Sequence, residues 1–126
     1  MKSNIQGLGN DIIEIERVRK GFEEHGQAFL DRLFTKKEQE YCSQQKDPIP
    51  RYAGRFAAKE ALVKALGTGF GAEASWHDFE ILPDSKGKPE VHLSDALKER
   101  FKTPELLLTI SHCKSYASAV AIWVSA

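Results

Sequence analysis

A glutamate and a lysine, four positions apart, are the residues of this chain whose spacing first suggests chemistry. Glu60 and Lys64 lie in a run of strong helix formers, so both project from one face of a helix. Apolar residues on two sides of that helix predict that the face is partly enclosed. The glycines of segment 67–71 follow, where backbone can approach a ligand closely. The same spacing also suits a structural ion pair worth about 0.2–0.5 kcal/mol, and the spacing alone leaves both interpretations open.

A second carboxylate, Asp11, interrupts an isoleucine-rich stretch near the start of the chain. The stretch predicts a strand over residues 5–15, in which Gly7 and Gly9 indicate a bulge or a close backbone approach. Asp11 is then either a carboxylate presented from a strand whose glycines make room for another group, or part of an Asn10-Asp11 turn. The local sequence does not separate the two.

One histidine and one basic cluster complete the candidate set. His112 is expected at the turn between the last two strands, where a functional role competes with that of a hydrogen-bonded structural residue. Arg17, Arg19 and Lys20 follow Asp11 closely. They form either an ordinary solvated face or a docking site for an acidic partner.

Composition bounds the possible functions. The 126 residues fit one domain covering 1–126, and 18 basic residues balance 18 acidic ones, which argues against general nucleic-acid binding. Cys42 and Cys113 lack metal-ligand spacing and are expected as buried free thiols in a reducing compartment. No apolar run suggests a signal peptide or is long enough to span a membrane. We therefore expect a soluble, cytoplasmic protein.

Hydrophobic periodicity predicts an α+β fold, an antiparallel sheet with several helices inserted in the middle of the chain. A capping box at Thr35 and Glu38 begins one helix, and Asp47-Pro48 is a second start signal, with Asp47 as N-cap. The predicted helices cover residues 16–26, 27–34, 36 to about 45, 56–66 and 95 to about 102, and the predicted strands cover residues 5–15, 76–82, 90–93, 106–111 and 116–124. Alanines on one face of the last strand, at 117, 119 and 121, allow close packing.

Three stretches together resemble the motifs of the phosphopantetheinyl transferases. They are residues 9–17 (GNDIIEIER), 55–65 (RFAAKEALVKA) and 110–117 (ISHCKSYA). Their order, approximate spacing and the chain length are similar to those of the short, single-domain type, and the resemblance covers nearly the whole chain. The middle motif, followed by Gly-Thr-Gly, is the most specific of the three.

The resemblance implies a reaction. Such enzymes move 4′-phosphopantetheine from coenzyme A to a serine of apo-acyl carrier protein, in support of fatty acid biosynthesis, and release adenosine 3′,5′-bisphosphate. It implies that Asp11 and Glu60 bind Mg²⁺, which suits carboxylate and phosphate ligands. Lys64 would neutralise a phosphate and stabilise or protonate the leaving group. The base for the serine stays open between Glu60 and a metal-bound water.

The resemblance also assigns binding roles and an assembly. The residues expected to contact phosphates of coenzyme A are Arg55, Lys59, Lys64 and His112. Those expected to dock the acidic acyl carrier protein are Arg17, Arg19 and Lys20. A homotrimer with active sites at subunit interfaces is implied, and we expect the apolar patch of Phe56 and Val63 and the alanine face to be covered in it.

Two other classes of function remain as alternatives. A non-catalytic module that binds coenzyme A or a nucleotide would need the basic residues but would have little use for paired carboxylates. An interaction protein with a purely structural Glu60–Lys64 pair would tolerate loss of Asp11 and Glu60.

Overall fold

The computed structural model describes residues 4–125 and confirms the predicted α+β architecture. The elements, in chain order, are β1 (Ile5–Glu14), α1 (Ile15–His25), α2 (Gln27–Leu33), α3 (Lys36–Cys42), α4 (Ile49–Leu66), a 3₁₀ turn (Trp76–Asp78), β2 (Phe79–Pro83), β3 (Pro89–Leu93), α5 (Asp95–Arg100), β4 (Glu105–His112) and β5 (Tyr116–Val124).

The strands form two antiparallel sheets. The larger has the order β1-β5-β4, and β2 and β3 form a separate hairpin. Within the larger sheet, Asp11 pairs with Ala119, which pairs with Ile110 on its other side. Residues directly opposite one another share a face, so Asp11 lies on the alanine face of β5. That face packs on α4, and its three predicted alanines are at most 2% exposed.

Helix α4 is longer than predicted and begins one residue later than its start signal. Pro48, rather than Asp47, is the N-cap, while Asp47 Oδ1 accepts a hydrogen bond from the Ile49 amide. Pro50 fits the first turn because no intrahelical donor is needed there. The helix then runs unbroken for 18 residues to Gly67, whose φ of 79° ends it in the left-handed region.

Other predicted boundaries differ in detail. The capping box is confirmed, since the Glu38 amide donates to Thr35 Oγ1 and the Thr35 amide donates to Glu38 Oε1. Helix α3 nevertheless ends at Cys42 instead of Gln45. The first residues of the predicted strand 76–82 form a 3₁₀ turn instead, because the Asp78 side chain accepts from the Ser75 amide and closes the turn.

The cysteines correct another expectation. Cys42 is buried, whereas Cys113 is exposed beyond the end of β4. Neither forms a disulfide within the described part of the chain. The two thiols therefore differ in environment, and only Cys42 fits the expectation of a buried free thiol.

The apolar surfaces expected to meet other subunits are covered by the chain itself. Val63 is 1% exposed, and Phe56 packs against Trp76 with ring centroids 5.0 Å apart. An apolar surface remains open on the opposite face of the larger sheet, which we call the outer sheet face. It carries Leu8, Ile12, Leu107 and Val120, each at least 40% exposed. No helix within residues 4–125 has the length and apolar character needed to cross a membrane.

Candidate active site

The site is built where β1 crosses α4. A Cβ atom on Gly7 or Gly9 would overlap the carbonyl oxygens of Ala65 and Ala61, so the strand lies directly on the helix backbone. The sequence-predicted close approach is therefore an approach of the strand to α4. Asp11 follows two residues after Gly9 and lies within reach of Lys64.

Lys64 joins the strand to the helix. Its ammonium donates to the Asn10 carbonyl at 2.9 Å and to Asp11 Oδ1 at 3.2 Å. The Lys64 side chain is 51% exposed and that of Asp11 is 18% exposed. Asn10 was not predicted as a site residue, since a backbone acceptor leaves no signal in the sequence. The Asn10-Asp11 turn alternative is also excluded, because both residues lie inside β1.

The Glu60 side chain is half-buried, and within residues 4–125 its carboxylate forms no hydrogen bond or ion pair. Burial raises the pKa of its carboxyl, the nearby Asp11 carboxylate raises it further, and Lys64 opposes the shift. The structural Glu60–Lys64 ion pair that the spacing allowed does not form, because Lys64 pairs with Asp11 instead. Two carboxylates and one cation thus share a small region, with Glu60 left free.

This arrangement fits a hard divalent cation. Asp11 and Glu60 offer carboxylate oxygens, and the pKa of Glu60 is raised first by burial and then by the Asp11 carboxylate. A cation between the two carboxylates would relieve the second of these effects. Within residues 4–125, no group of three or more His, Cys, Asp or Glu side chains could hold a metal. Magnesium matches a two-carboxylate set, because it is commonly bound by one or two carboxylates with substrate phosphates and waters.

Lys59 lies in the interior instead of facing a phosphate. Its side chain is fully buried, and its ammonium donates to Glu38 Oε1 at 2.7 Å and to the carbonyls of Leu33 and Trp76 at 2.8 and 3.0 Å. An ammonium has three N–H donors, and all three are used. The predicted contact of Lys59 with coenzyme A is corrected accordingly.

Arg55 is likewise turned away from Glu60. It is 6% exposed, its Nε donates to the Ile81 carbonyl, and its guanidinium lies 4.5 Å from the Tyr41 ring centroid. Five residues along a helix correspond to about 140° of rotation, which places Arg55 and Glu60 on different sides of α4. Within one chain, Arg55 does not reach the site of Asp11 and Glu60, and its contact with a phosphate of coenzyme A stays a prediction.

His112 is the last residue of β4 and is exposed. It pairs with Ala117, which pairs with Ile13 of β1, so two strand spacings, about 10 Å, separate its strand from β1. The register puts His112 on the same sheet face as Asp11. The chain itself does not bring the two into contact.

The basic cluster divides between two surfaces. Arg19 donates to Asp47 through both terminal nitrogens and to Glu16 through Nε, which leaves it engaged within the chain. Arg17 and Lys20 line a groove of about 570 Å³ between α1 and α2, together with Arg32. Because Asp47 and Glu16 hold Arg19 outside the groove, its role in docking stays a prediction. Arg32 was missed because it stands in α2, where no charge cluster marks it.

A family model decides what these features belong to. The model of the 4'-phosphopantetheinyl transferase superfamily matches residues 7–121. This chain belongs to that superfamily. The match confirms the family predicted from the three motifs, and all three motifs lie within the matched range.

Individual members of the superfamily are similar to this chain over nearly its full length. A holo-[acyl-carrier-protein] synthase of Protochlamydia amoebophila is 57% identical over 119 residues, covering 94% of this chain and 98% of the relative. The crystal structure of a holo-[acyl-carrier-protein] synthase from Neisseria meningitidis superposes with a TM-score of 0.89 at 33% identity, covering 96% and 99% of the two chains. A Bacillus anthracis synthase solved in complex with CoA (3',5'-ADP) gives 0.85 at 36% identity, covering 98% and 100%.

Proposed function

We propose that this protein is a holo-acyl-carrier-protein synthase with Asp11, Glu60 and Lys64 in its active site. It transfers 4′-phosphopantetheine from coenzyme A to a serine of apo-acyl carrier protein. The observation that carries the proposal is the meeting of two carboxylates and a lysine from two motifs, at a crossing that requires glycine.

Asp11 and Glu60 are the proposed ligands of Mg²⁺. Asp11 lies in β1 and Glu60 on α4. Asp11 raises the pKa of the unpaired Glu60 carboxyl, and Lys64 lowers it. Mg²⁺ held by these two carboxylates would supply positive charge to the pyrophosphate and to the charge that develops on transfer.

Lys64 is the proposed contact to phosphate. Its side chain is half exposed and flexible, so it can exchange the Asp11 carboxylate for a phosphate oxygen of coenzyme A. The serine oxygen forms a bond to the β-phosphorus, and the bond from that phosphorus to the bridging oxygen breaks. Adenosine 3′,5′-bisphosphate leaves with Lys64 stabilising or protonating it, and the serine proton passes to Glu60 or to a water.

The acyl carrier protein is proposed to dock in the groove between α1 and α2. Arg17, Lys20 and Arg32 give this groove three positive side chains against one acidic side chain, Glu24, and Phe29 adds apolar surface. A small acidic helical protein complements such a surface by charge and shape.

A homotrimer, with sites at subunit interfaces, is proposed from the outer sheet face. Leu8 and Leu107 both stand in register with Ile122, forming a continuous apolar row across the sheet. Exposed apolar patches of this kind favour association. A second copy would also account for His112, which the chain does not bring to its own Asp11. A cytoplasmic location and a role in fatty acid biosynthesis stay predictions.

The deciding experiment is intact-mass spectrometry of apo-acyl carrier protein incubated with this protein and coenzyme A, with and without Mg²⁺. We expect a magnesium-dependent gain of one phosphopantetheine group, absent with Glu60→Gln. A control in which Glu99 of α5, exposed and remote in the chain, is changed to Gln should retain the gain. If coenzyme A binds but the carrier protein gains no mass, the protein is a binding module and not a transferase. If coenzyme A does not bind either, both hypotheses are wrong.

A further inference from the structure

We infer that the buried Glu38–Lys59 pair is a positioning device for Glu60. Lys59 directly precedes Glu60 on α4, and successive helix residues are separated by about 100°. Pinning Lys59 to the interior therefore fixes the direction in which Glu60 projects. This inference rests on the proposed role of Glu60 in binding metal.

The pair is a hub between segments that are distant in sequence. Lys59 donates to the carbonyl of Leu33 at the end of α2 and to that of Trp76 in the 3₁₀ turn. Glu38 Oε1 accepts from the Thr35 amide, and Oε2 accepts from the Ile81 amide of β2 at 2.9 Å. Both side chains are 0% exposed. Lys59 thus ties helix α4 directly to α2, α3 and the 3₁₀ turn, and through Glu38 to β2.

Stability alone does not explain such a pair. Removing two charges from water carries a desolvation cost that often equals or exceeds their attraction, and apolar replacements of similar volume are frequently neutral or stabilising. Here every donor of Lys59 and both oxygens of Glu38 are satisfied by defined partners. Directional bonds specify one rotation of the helix, which an apolar contact does not.

The hub acts opposite a second constraint. Gly9 packs on the Ala61 carbonyl, on the side of α4 that faces β1, while Lys59 is bonded on the side that faces α2, α3 and β2. Glu60 lies between these two positions in the sequence. A side-chain end lies about 6 Å from the helix axis, so a rotation of about 10° moves the Glu60 carboxylate by about 1 Å. A displacement of that order can reduce a rate about 100-fold.

The test compares Lys59→Met, Glu38→Gln and the double variant Glu38→Gln/Lys59→Met with wild type. Unfolding in urea reports stability, Mn²⁺ affinity in the presence of coenzyme A reports the metal site by electron paramagnetic resonance, and steady-state kinetics separate kcat from the two KM values. Leu97→Ala, in the core of α5 and 0% exposed, is the matched control for loss of stability.

We expect each single variant to lower kcat by about 10-fold to 100-fold and to weaken Mn²⁺ binding about 10-fold. The KM for the carrier should stay within about twofold, because neither Glu38 nor Lys59 lines the docking groove. The double variant should recover stability relative to Lys59→Met, since no unpaired charge is left inside, without recovering kcat. Leu97→Ala should lose stability and keep its kcat.

The inference is overturned if kcat follows stability across the whole set, including Leu97→Ala and the double variant. If Lys59→Met does not fold, Glu38→Gln decides alone, because it keeps the shape of the side chain. Wild-type transfer and loss of Mn²⁺ binding in Asp11→Asn test the proposed function separately. If the wild-type protein binds Mn²⁺ but transfers nothing, the proposed reaction is wrong. The Mn²⁺ affinities of the variants then still test whether the pair positions Glu60.

Discussion

The backbone of Gly9 in β1 lies directly against the carbonyl oxygen of Ala61 in α4. A Cβ atom on Gly9 would overlap that oxygen and would stand 2.7 Å from the Ala65 amide nitrogen and 2.9 Å from Lys64 Cβ. Side chains would hold the strand and helix further apart. The contact of Asp11 with Lys64 therefore depends on the missing side chain of Gly9.

We expect Gly9→Ala to lower the free energy of unfolding by about 3 kcal/mol and to reduce kcat, because β1 must move away from α4 and carry Asp11 with it. Gly54→Ala is the comparison, since its Cβ would meet one side-chain methyl group, that of Ile110 at 3.0 Å, which must shift by a few tenths of an ångström, whereas alanine favours the helix by about 1 kcal/mol. Urea unfolding and transfer kinetics measure both effects. Wild-type stability in Gly9→Ala would contradict the close packing.

The raised pKa of Glu60 gives stability a defined pH dependence. Its folded pKa lies above the ordinary 4.5, first because of burial and then because of Asp11. A raised pKa favours the folded, protonated form, so this contribution is present below pH 4.5 and is lost as the pH rises through the folded value.

In EDTA, Glu60→Gln should therefore gain stability relative to wild type as the pH rises from about 4 to about 7. Urea unfolding at both pH values measures the difference, with Glu99→Gln as the control on an exposed surface. A difference that is the same at both pH values would show that Glu60 carries no penalty in the folded chain.

Charge reversal at Arg17 tests the docking groove. We expect Arg17→Glu to raise the KM for the acyl carrier protein at least about 10-fold at low salt, and the effect should shrink as salt screens the groove. The KM for coenzyme A should change less than about twofold. Lys98→Glu, exposed on α5, is the control for net charge. Equal changes in both Michaelis constants would place the carrier elsewhere.

Arg19 offers a contrast within the same cluster. Because it is engaged with Asp47 and Glu16, we expect Arg19→Gln to leave the KM for the carrier within about twofold and to cost at most about 1 kcal/mol of stability. The same kinetic assay and urea unfolding measure it. A large KM effect would return Arg19 to the docking surface.

The outer sheet face can be tested by adding a charge. Leu107 is 46% exposed and lies at one end of the apolar row, in register with Ile122, which is in register with Leu8 on its other side. Sedimentation should show a trimer for wild type and a smaller species for Leu107→Glu, because a buried unpaired carboxylate is costly. Lys86→Glu, at the tip of the β2–β3 turn, is the control. A monomeric wild-type protein at working concentration would contradict the trimer.

The two thiols should differ in reactivity. Burial raises the pKa of Cys42 to about 12, while backbone hydrogen bonds at Ser115 and Tyr116 lower the pKa of the exposed Cys113. Since the thiolate is the reactive form, a disulfide reagent near neutral pH should label one thiol in the folded protein and two in urea. Cys113→Ser should abolish the fast reaction. Fast labelling of Cys42 in the folded variant would argue against its burial.

Local sequence was sufficient for much of this protein. Helix-forming residues placed Glu60 and Lys64 one turn apart, the Thr35–Glu38 capping box marked the start of α3, and the alanine row of β5 indicated a closely packed face. These features depend on interactions within a few residues, which local propensity and spacing govern. The combination of three motifs indicated the family, and the comparisons confirmed it.

Which charged side chains reach the site was decided by tertiary structure alone. Lys59 is buried and pairs with Glu38, whereas Lys64 is exposed and pairs with Asp11. The sequence of residues 55–64 does not distinguish the two lysines. The partners of both lysines lie at least 17 residues away in the sequence, so their pairing depends on how α4 is oriented against β1 and α3. The sequence determined which chemical groups are present; only folding over long distances decided which of them remain free to act, because burial and pairing are set by neighbours that the local pattern does not contain.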